Sequence, residues 1–201
     1  MKKTLEEHAA RFDEVAPEYD DDKTEEYRAC VSLVVEYADP TADTTVLDLG
    51  CGTGAIGLAL AGRADRVLGR DISAGMMDEA RHKADERGLE NVTFEEGTFR
   101  EPNVDEAVDI VVSNFAMHHL SDAEKRDAIE AIAALGPRRF VLGDVMFFGE
   151  PNPKEPFYSP DVDDPATVGV LADALTAAGF SLVAVEMVHE QVGVLVAERA
   201  E

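Results

Sequence analysis

The sequence predicts an α/β fold built on a mostly parallel sheet, and three observations carry that prediction. From residue 43 onward, short apolar runs alternate with helix-like stretches, the pattern of successive βα units. The first run passes through a glycine-rich turn straight into a helical stretch, a junction common in such units. The last two runs are separated by only a few polar residues, too few for a crossover helix, so they are expected to form an antiparallel hairpin.

The elements follow in order. Residues 5 to about 37 read as helical, with Phe12, Val15, Ala16 and Tyr19 near helical spacing until Pro17 and the run Asp20-Asp21-Asp22 interrupt it. Strands are expected at 45–49, 66–70, 92–95, 107–113 and 139–144, with helices at 54–62, 75–88, 123–135 and 168–178. Gly88 and Gly136 sit where glycines stop helices. Residues 149–165 form a long proline-bearing loop carrying Phe157 and Tyr158, a length typical of lids and binding segments. Segments 180–186 and 191–198 make the hairpin. A chain of 201 residues suits one domain, divided into a helical N-terminal cap (1–42), a core (43–148) and a final loop, helix and hairpin (149–201).

Composition narrows the function. The chain holds 42 acidic against 18 basic residues, a net charge of −24, and the acids are dispersed along its length. Such a surface repels nucleic acid and anionic lipid at ordinary ionic strength, so neither is an expected partner. Dispersed acidity with arginine outnumbering lysine also suits a salt-rich cytosol, where the Debye length falls to about 3 Å and self-repulsion fades. No apolar run approaches the ~18 residues of a membrane span, and the first residues turn acidic where a secretory signal needs an apolar stretch, so a cytoplasmic location is expected. Cys30 and Cys51 are too few for a disulfide framework or a cysteine-rich metal site, and no metal is expected.

The chemistry concentrates in Val46-Leu47-Asp48-Leu49-Gly50-Cys51-Gly52-Thr53-Gly54. An apolar strand delivers an acid and then three alternating glycines immediately before a helix. Glycines let the backbone approach a ligand closely, while free amides at the helix start donate to its polar groups. Gly52, Gly54 and Gly57 also satisfy the G-x-G-x-x-G dinucleotide pattern, so the glycines alone fit two cofactors. Asp48 separates them, because a carboxylate there suits a cationic ligand and would repel a pyrophosphate.

This stretch resembles the first motif of the class I, Rossmann-like S-adenosylmethionine-dependent methyltransferases of small-molecule type, and further segments match in order. The resemblance implies a doubly wound, seven-stranded sheet, S-adenosylmethionine as methyl donor, S-adenosylhomocysteine as product and a small-molecule acceptor. Val67 to Arg81 resembles the second strand and helix, which makes Asp71 the acceptor of both ribose hydroxyls and places Ile72 and Met76 on the adenine face. Val92 to Phe99 is similar to the third strand and its turn, with Thr98 and Phe99 beside the adenine. Many members carry an aspartate where this chain has Thr98, and losing that charge-assisted bond weakens adenine recognition by about 1 kcal/mol.

Val108 to Leu120 is closely similar to the fourth strand and following loop, where Asn114 and Phe115 hold the cofactor at the sheet's carboxyl edge. Asn114 is not followed by the two prolines of enzymes that methylate amino groups of DNA bases or glutamine, which sets that substrate class aside. His118 and His119 are the adjacent candidate bases, although in-line methyl transfer needs a base only when the nucleophile arrives protonated. In related enzymes the second histidine often fixes the loop instead. Phe12 to Asp20 resembles the segment folded over the cofactor, with Tyr19 as lid residue, and Asp144, Phe147, Phe157 and Tyr158 fall near the acceptor. The cofactor set is thus Tyr19, Asp48, Gly50, Cys51, Gly52, Asp71, Ile72, Met76, Thr98, Phe99, Asn114 and Phe115. A non-catalytic cofactor-binding module and a dinucleotide-dependent oxidoreductase are the alternatives.

Overall fold

The computed structural model describes residues 4–150 and 156–199. Its strands are β1 (Thr45–Leu49), β2 (Arg66–Asp71), β3 (Val92–Glu96), β4 (Ile110–Asn114), β5 (Arg139–Phe147), β6 (Ala166–Thr167), β7 (Ser181–His189) and β8 (Val192–Glu198). The sheet runs in the order β3-β2-β1-β4-β5-β8-β7, with the two-residue β6 beside the end of β5. Strands β1 to β5 pair in parallel, and β8 alone runs against the rest, since β7 pairs antiparallel to it. The expected hairpin is therefore present, and the seven expected strands are joined by a short eighth. Strand order reverses between β1 and β4, which opens a crevice beyond their carboxyl ends.

Both faces of the central strands are apolar because helices cover both. Val46, Ile110, Val112, Val141, Val194 and Val196 point toward α2 (Glu25–Ala38) and α3 (Ala55–Leu60), which present Cys30, Val34, Ile56 and Leu60. Leu47, Val111, Phe140, Leu142 and Leu195 point the other way, onto Ile129 and Ile132 of α5 (Asp122–Ala134) and Leu171 and Leu175 of α6 (Val168–Ala177). Phe94 packs with Met77, Ala80 and Ala84 of α4 (Ala74–Glu86).

The N-terminal segment is two helices with different surroundings. In α1 (Leu5–Val15) Thr4 and Glu7 form a reciprocal capping box, and Thr24 caps α2. Helix α2 buries Cys30, Val34 and Ala38 on the sheet and so belongs to the core, whereas α1 lies against α4 beside the crevice. Pro17 sits in a single 3₁₀ turn after α1, where its missing N–H costs no helical hydrogen bond. Among the described residues, no helix is long and apolar enough to cross a membrane.

Candidate active site

The turn after β1 is shaped by its backbone. Gly50 has φ of +68°, and a Cβ on it would lie 2.4 Å from that of Ala116, so only glycine fits. The N–H groups of Gly50 and Cys51 both donate to the Arg70 carbonyl, at 2.8 and 3.1 Å, which folds the turn over the end of β2. Asp71, the last residue of β2, accepts from the Gly52 N–H at 2.8 Å and the Ser73 N–H at 2.9 Å. Its carboxylate thereby ties the glycine turn to the start of α4.

These elements enclose a cavity of about 720 Å³, within the usual range for small-molecule sites. All twelve residues of the expected cofactor set line it: Tyr19, Asp48, Gly50, Cys51, Gly52, Asp71, Ile72, Met76, Thr98, Phe99, Asn114 and Phe115. The wall combines two buried carboxylates with the apolar side chains of Ile72, Met76 and Phe99. The Asn114 amide is buried and faces the Tyr27 hydroxyl without closing a hydrogen bond of ordinary geometry. A polar amide with unmet bonding capacity, two acids and an apolar slot fit S-adenosylmethionine, which carries a cationic end, ribose hydroxyls and a flat base.

The electrostatics of this wall are set by burial. Burial pushes the Asp48 carboxyl up to about 7, against the Gly57 N–H that holds its ionised form at 2.9 Å and with the Asp71 charge adding to the rise. Asp48 is therefore an anchor for α3 as well as a wall of the cavity, and near neutrality its charge depends on what binds beside it. Asp71 is also raised by burial, opposed by its backbone donors. Thr98 lines the cavity and is also engaged locally. Its hydroxyl accepts the Glu101 N–H at 2.9 Å and its own N–H donates to the Glu101 carbonyl at 2.9 Å, so it closes a local turn at the cavity wall.

A second cavity, about 350 Å³, adjoins the first and shares Phe12, Tyr19, Tyr27, Phe115 and His119 as its wall. The two expected histidines divide here, since His118 lines only the second cavity while His119 lines both. Nδ1 of His118 lies 2.5 Å from Asp144, and Nδ1 of His119 lies 2.7 Å from Asp163. The two rings are 4.1 Å apart. Burial lowers the His119 pKa, opposed by the Asp163 hydrogen bond, and that same bond helps hold Asp163 below the usual carboxylate range. Phe157 and Tyr158 line the second cavity as well, whereas Phe147 is not part of its wall and meets the Tyr158 ring, with 5.6 Å between ring centres.

Residues 46–136 match the model of a family described as a methyltransferase domain. An uncharacterized methyltransferase of Staphylococcus carnosus is 32% identical over 151 residues, which cover 69% of this chain and 68% of that protein. The chain belongs to the class I S-adenosylmethionine-dependent methyltransferases. Within that family it is 33% identical to the uncharacterized methyltransferase YcgJ of Bacillus subtilis over 136 residues, 66% of this chain and 53% of YcgJ. The chain thus spans about half the length of that relative. The YcgJ crystal structure superposes with a TM-score of 0.68 at 27% identity, covering 78% of this chain and 70% of that one. The aklanonic acid methyltransferase DauC of Streptomyces sp. (strain C5) is 33% identical over 116 residues, 56% of this chain and 53% of DauC.

Asp13, Asp20 and Lys125 make contacts at the site that no sequence pattern announces. Asp13 of α1 accepts from the Ser73 hydroxyl at 2.6 Å and the Gly75 N–H at 2.9 Å, which docks α1 on the first turn of α4. Asp20 accepts from the Thr53 hydroxyl at 3.0 Å and pairs with Lys83, fastening the segment before α2 to the glycine turn. Lys125, 2% exposed, donates to the carbonyls of Leu120 and Asp164 and so clamps the histidine turn to the loop before β6. The Asp164 N–H adds a bond to the His118 carbonyl at 2.7 Å.

Proposed function

We propose that the chain methylates a small-molecule acceptor held in the second cavity, with His118 as the base. The observation that carries this reading is the shared wall of Phe12, Tyr19, Tyr27, Phe115 and His119, which puts an acceptor space directly beside the cofactor space. When bound, S-adenosylmethionine supplies a methyl group on a sulfonium, ready for in-line displacement. Asp71 receives the ribose hydroxyls, Ile72, Met76 and Phe99 cover the base with Thr98 at its edge, and Asp48 and Asn114 face the cationic end. Gly50, Cys51 and Gly52 bring the backbone to it, and Tyr19 and Phe115 close the cavity on the acceptor side.

His118 takes the acceptor's proton at Nε2. Its Nδ1–H donates to the Asp144 carboxylate, which keeps the proton on Nδ1 and leaves Nε2 as the lone-pair nitrogen. Asp144 is a positioning residue for that ring. His119, tied to Asp163 and wedged between the cavities, fixes the loop. The name of the Streptomyces relative supports a small-molecule acceptor, and the net charge of −24 argues against nucleic acid or anionic membrane as partner. The same charge supports a cytoplasm rich in salt. Equal stability in dilute buffer and in molar KCl would remove that part of the reading.

Calorimetric titration with S-adenosylmethionine, S-adenosylhomocysteine and NAD tests the cofactor, and only the first two should bind. A screen for transfer of a labelled methyl group to small molecules tests catalysis. Tight cofactor binding with no acceptor found and no change on His118→Gln in any partial reaction would favour a non-catalytic binding module.

A further inference from the structure

We infer that the acceptor carries an anionic group, a carboxylate on an aromatic or other flat apolar body, and that Arg11 and Lys23 receive it in the second cavity. The inference rests on the methyltransferase reading and adds the chemical class of the acceptor. The anion is a recognition handle, distinct from the atom that accepts the methyl group.

Arg11 and Lys23 are the two half-buried bases among the described residues that form neither an ion pair nor a hydrogen bond, and both line this cavity. The other bases that are not exposed are all engaged: Arg70 with Glu95, Lys83 with Asp20, Arg139 with Glu198, and Lys125 and Arg199 with backbone carbonyls. Acids outnumber bases 42 to 18 in this chain, so a base without an acid beside it is the less expected outcome, and two in one cavity call for a cause. Burying a cation without a counter-charge is costly.

Among the described residues, no nearby acid forms an ion pair with either cation, although the Asp20 charge favours the Lys23 ammonium from a distance. Asp163 is engaged by His119 and the Ser159 N–H, Asp20 by Lys83 and Thr53, and Asp22 is exposed and pairs with neither cation. Lys23 instead sits with its ammonium 2.9 Å from the Tyr19 ring centre and 4.6 Å from that of Tyr27. Burial pulls its pKa down to about 8 despite the Asp20 charge, so an arriving anion would gain a desolvated partner. Six aromatic side chains, Phe12, Tyr19, Tyr27, Phe115, Phe157 and Tyr158, share the wall with the two histidines and a few polar residues, and they suit a flat body carrying the anion. Neither cation lines the cofactor cavity, which separates this handle from the cofactor's own carboxylate.

The test uses the full chain saturated with S-adenosylhomocysteine and two probes of equal shape, 2-naphthoate and 2-naphthamide, titrated by calorimetry or ligand-observed NMR. Naphthoate should bind at least tenfold tighter than naphthamide. In the Arg11→Gln/Lys23→Met variant the preference should vanish while S-adenosylhomocysteine affinity stays within twofold, and Arg11→Lys should retain most of the preference. Equal binding of the two probes to the unmodified chain overturns the inference, as does a preference that survives in the double variant. A tenfold loss of S-adenosylhomocysteine affinity in that variant also overturns it, by assigning the cations to the cofactor. Failure of the unmodified chain to bind S-adenosylhomocysteine at all would instead overturn the methyltransferase reading beneath it.

Discussion

Asp144 grips His118 twice: one carboxylate oxygen lies 2.5 Å from the ring Nδ1, and the other accepts the His118 backbone N–H at 3.0 Å. Both the ring and the turn that carries it are set by one side chain on β5, 2% exposed. An asparagine cannot accept at both of its terminal atoms. Asp144→Asn should therefore lower methyl transfer about 10²-fold, and His118→Gln by 10²–10⁴-fold, while S-adenosylhomocysteine affinity changes less than twofold. Single-turnover transfer to whichever acceptor the labelled screen identifies would measure this, and unchanged rates in both variants would remove the base from the mechanism.

The pH dependence of stability should carry the mark of Asp48. Its carboxyl titrates near 7 in the folded chain against 3.8 for the unconstrained group, so between these values the folded state holds the extra proton. That contribution is complete below pH 3.8 and is lost as pH rises through about 7. Asp48→Asn keeps an oxygen to accept the Gly57 N–H but carries no charge to desolvate. The variant should gain in melting temperature relative to the unmodified chain between pH 5 and pH 8. A difference that does not grow with pH over that interval would show that Asp48 is not the buried acid described. Comparing the two proteins at each pH cancels Asp13 and Asp163, whose lowered values act in the opposite direction, with stability lost as pH falls.

Thr98→Asp places, at a position that lines the cofactor cavity, the carboxylate that the family resemblance implies there. An aspartate can still cap the turn to Glu101, so the fold should tolerate it. Cofactor affinity should hold or rise by up to about fivefold, equivalent to ~1 kcal/mol. A tenfold loss in a calorimetric titration would place the adenine elsewhere.

Lys125→Met removes the clamp between the histidine turn and the acceptor loop. The carbonyls of Leu120 and Asp164 lose the charged donor they share, which weakens the tie between the two segments. Chymotrypsin should then cut at Phe157 or Tyr158 at least several times faster than in the unmodified chain. Cleavage at an unchanged rate would mean that the loop is held by other contacts.

Much of the fold was legible because the central strands are buried on both faces and so appear as unbroken apolar runs between helices. β1 falls where those runs place it, at 45–49. The start of β4 does not. Residues 107–109 read as strand from their apolar content, yet Asp109 turns its carboxylate to the Thr45 N–H at 2.8 Å and pairing begins at Ile110. β5 runs on to Phe147 because β8 pairs with it as far as Val145 and β6 takes its last two residues, support that no local pattern announces. At the site, the glycine turn declares itself by spacing, and Asp71 and the histidine pair through their resemblance to the family's segments. The contacts of Asp13 and Asp20 do not, because these are two acids among 42 and their partners, Ser73 and Gly75 for the one and Thr53 and Lys83 for the other, lie 33 to 63 residues away. Lys125 was hidden for the opposite reason, since a lysine on a helix normally reads as surface.

The docking of α1 should be measurable by itself. Asp13→Ala removes the acceptor of the Ser73 hydroxyl and the Gly75 N–H, leaving α1 less firmly seated on α4. Release of S-adenosylhomocysteine should accelerate severalfold in stopped-flow displacement, with little change in its association rate. An unaltered release rate would separate α1 from cofactor retention.

Phe12, Tyr19 and Tyr27 belong to the walls of both cavities, and all three come from the N-terminal segment. An acceptor lodged among them holds that segment down over the methyl donor. The kinetic order is then fixed by architecture: the donor enters first, the methylated acceptor departs first, and the spent donor leaves last. Initial-rate patterns should accordingly show S-adenosylhomocysteine competing with S-adenosylmethionine alone, and an excess of acceptor should slow turnover by trapping the spent donor beneath it.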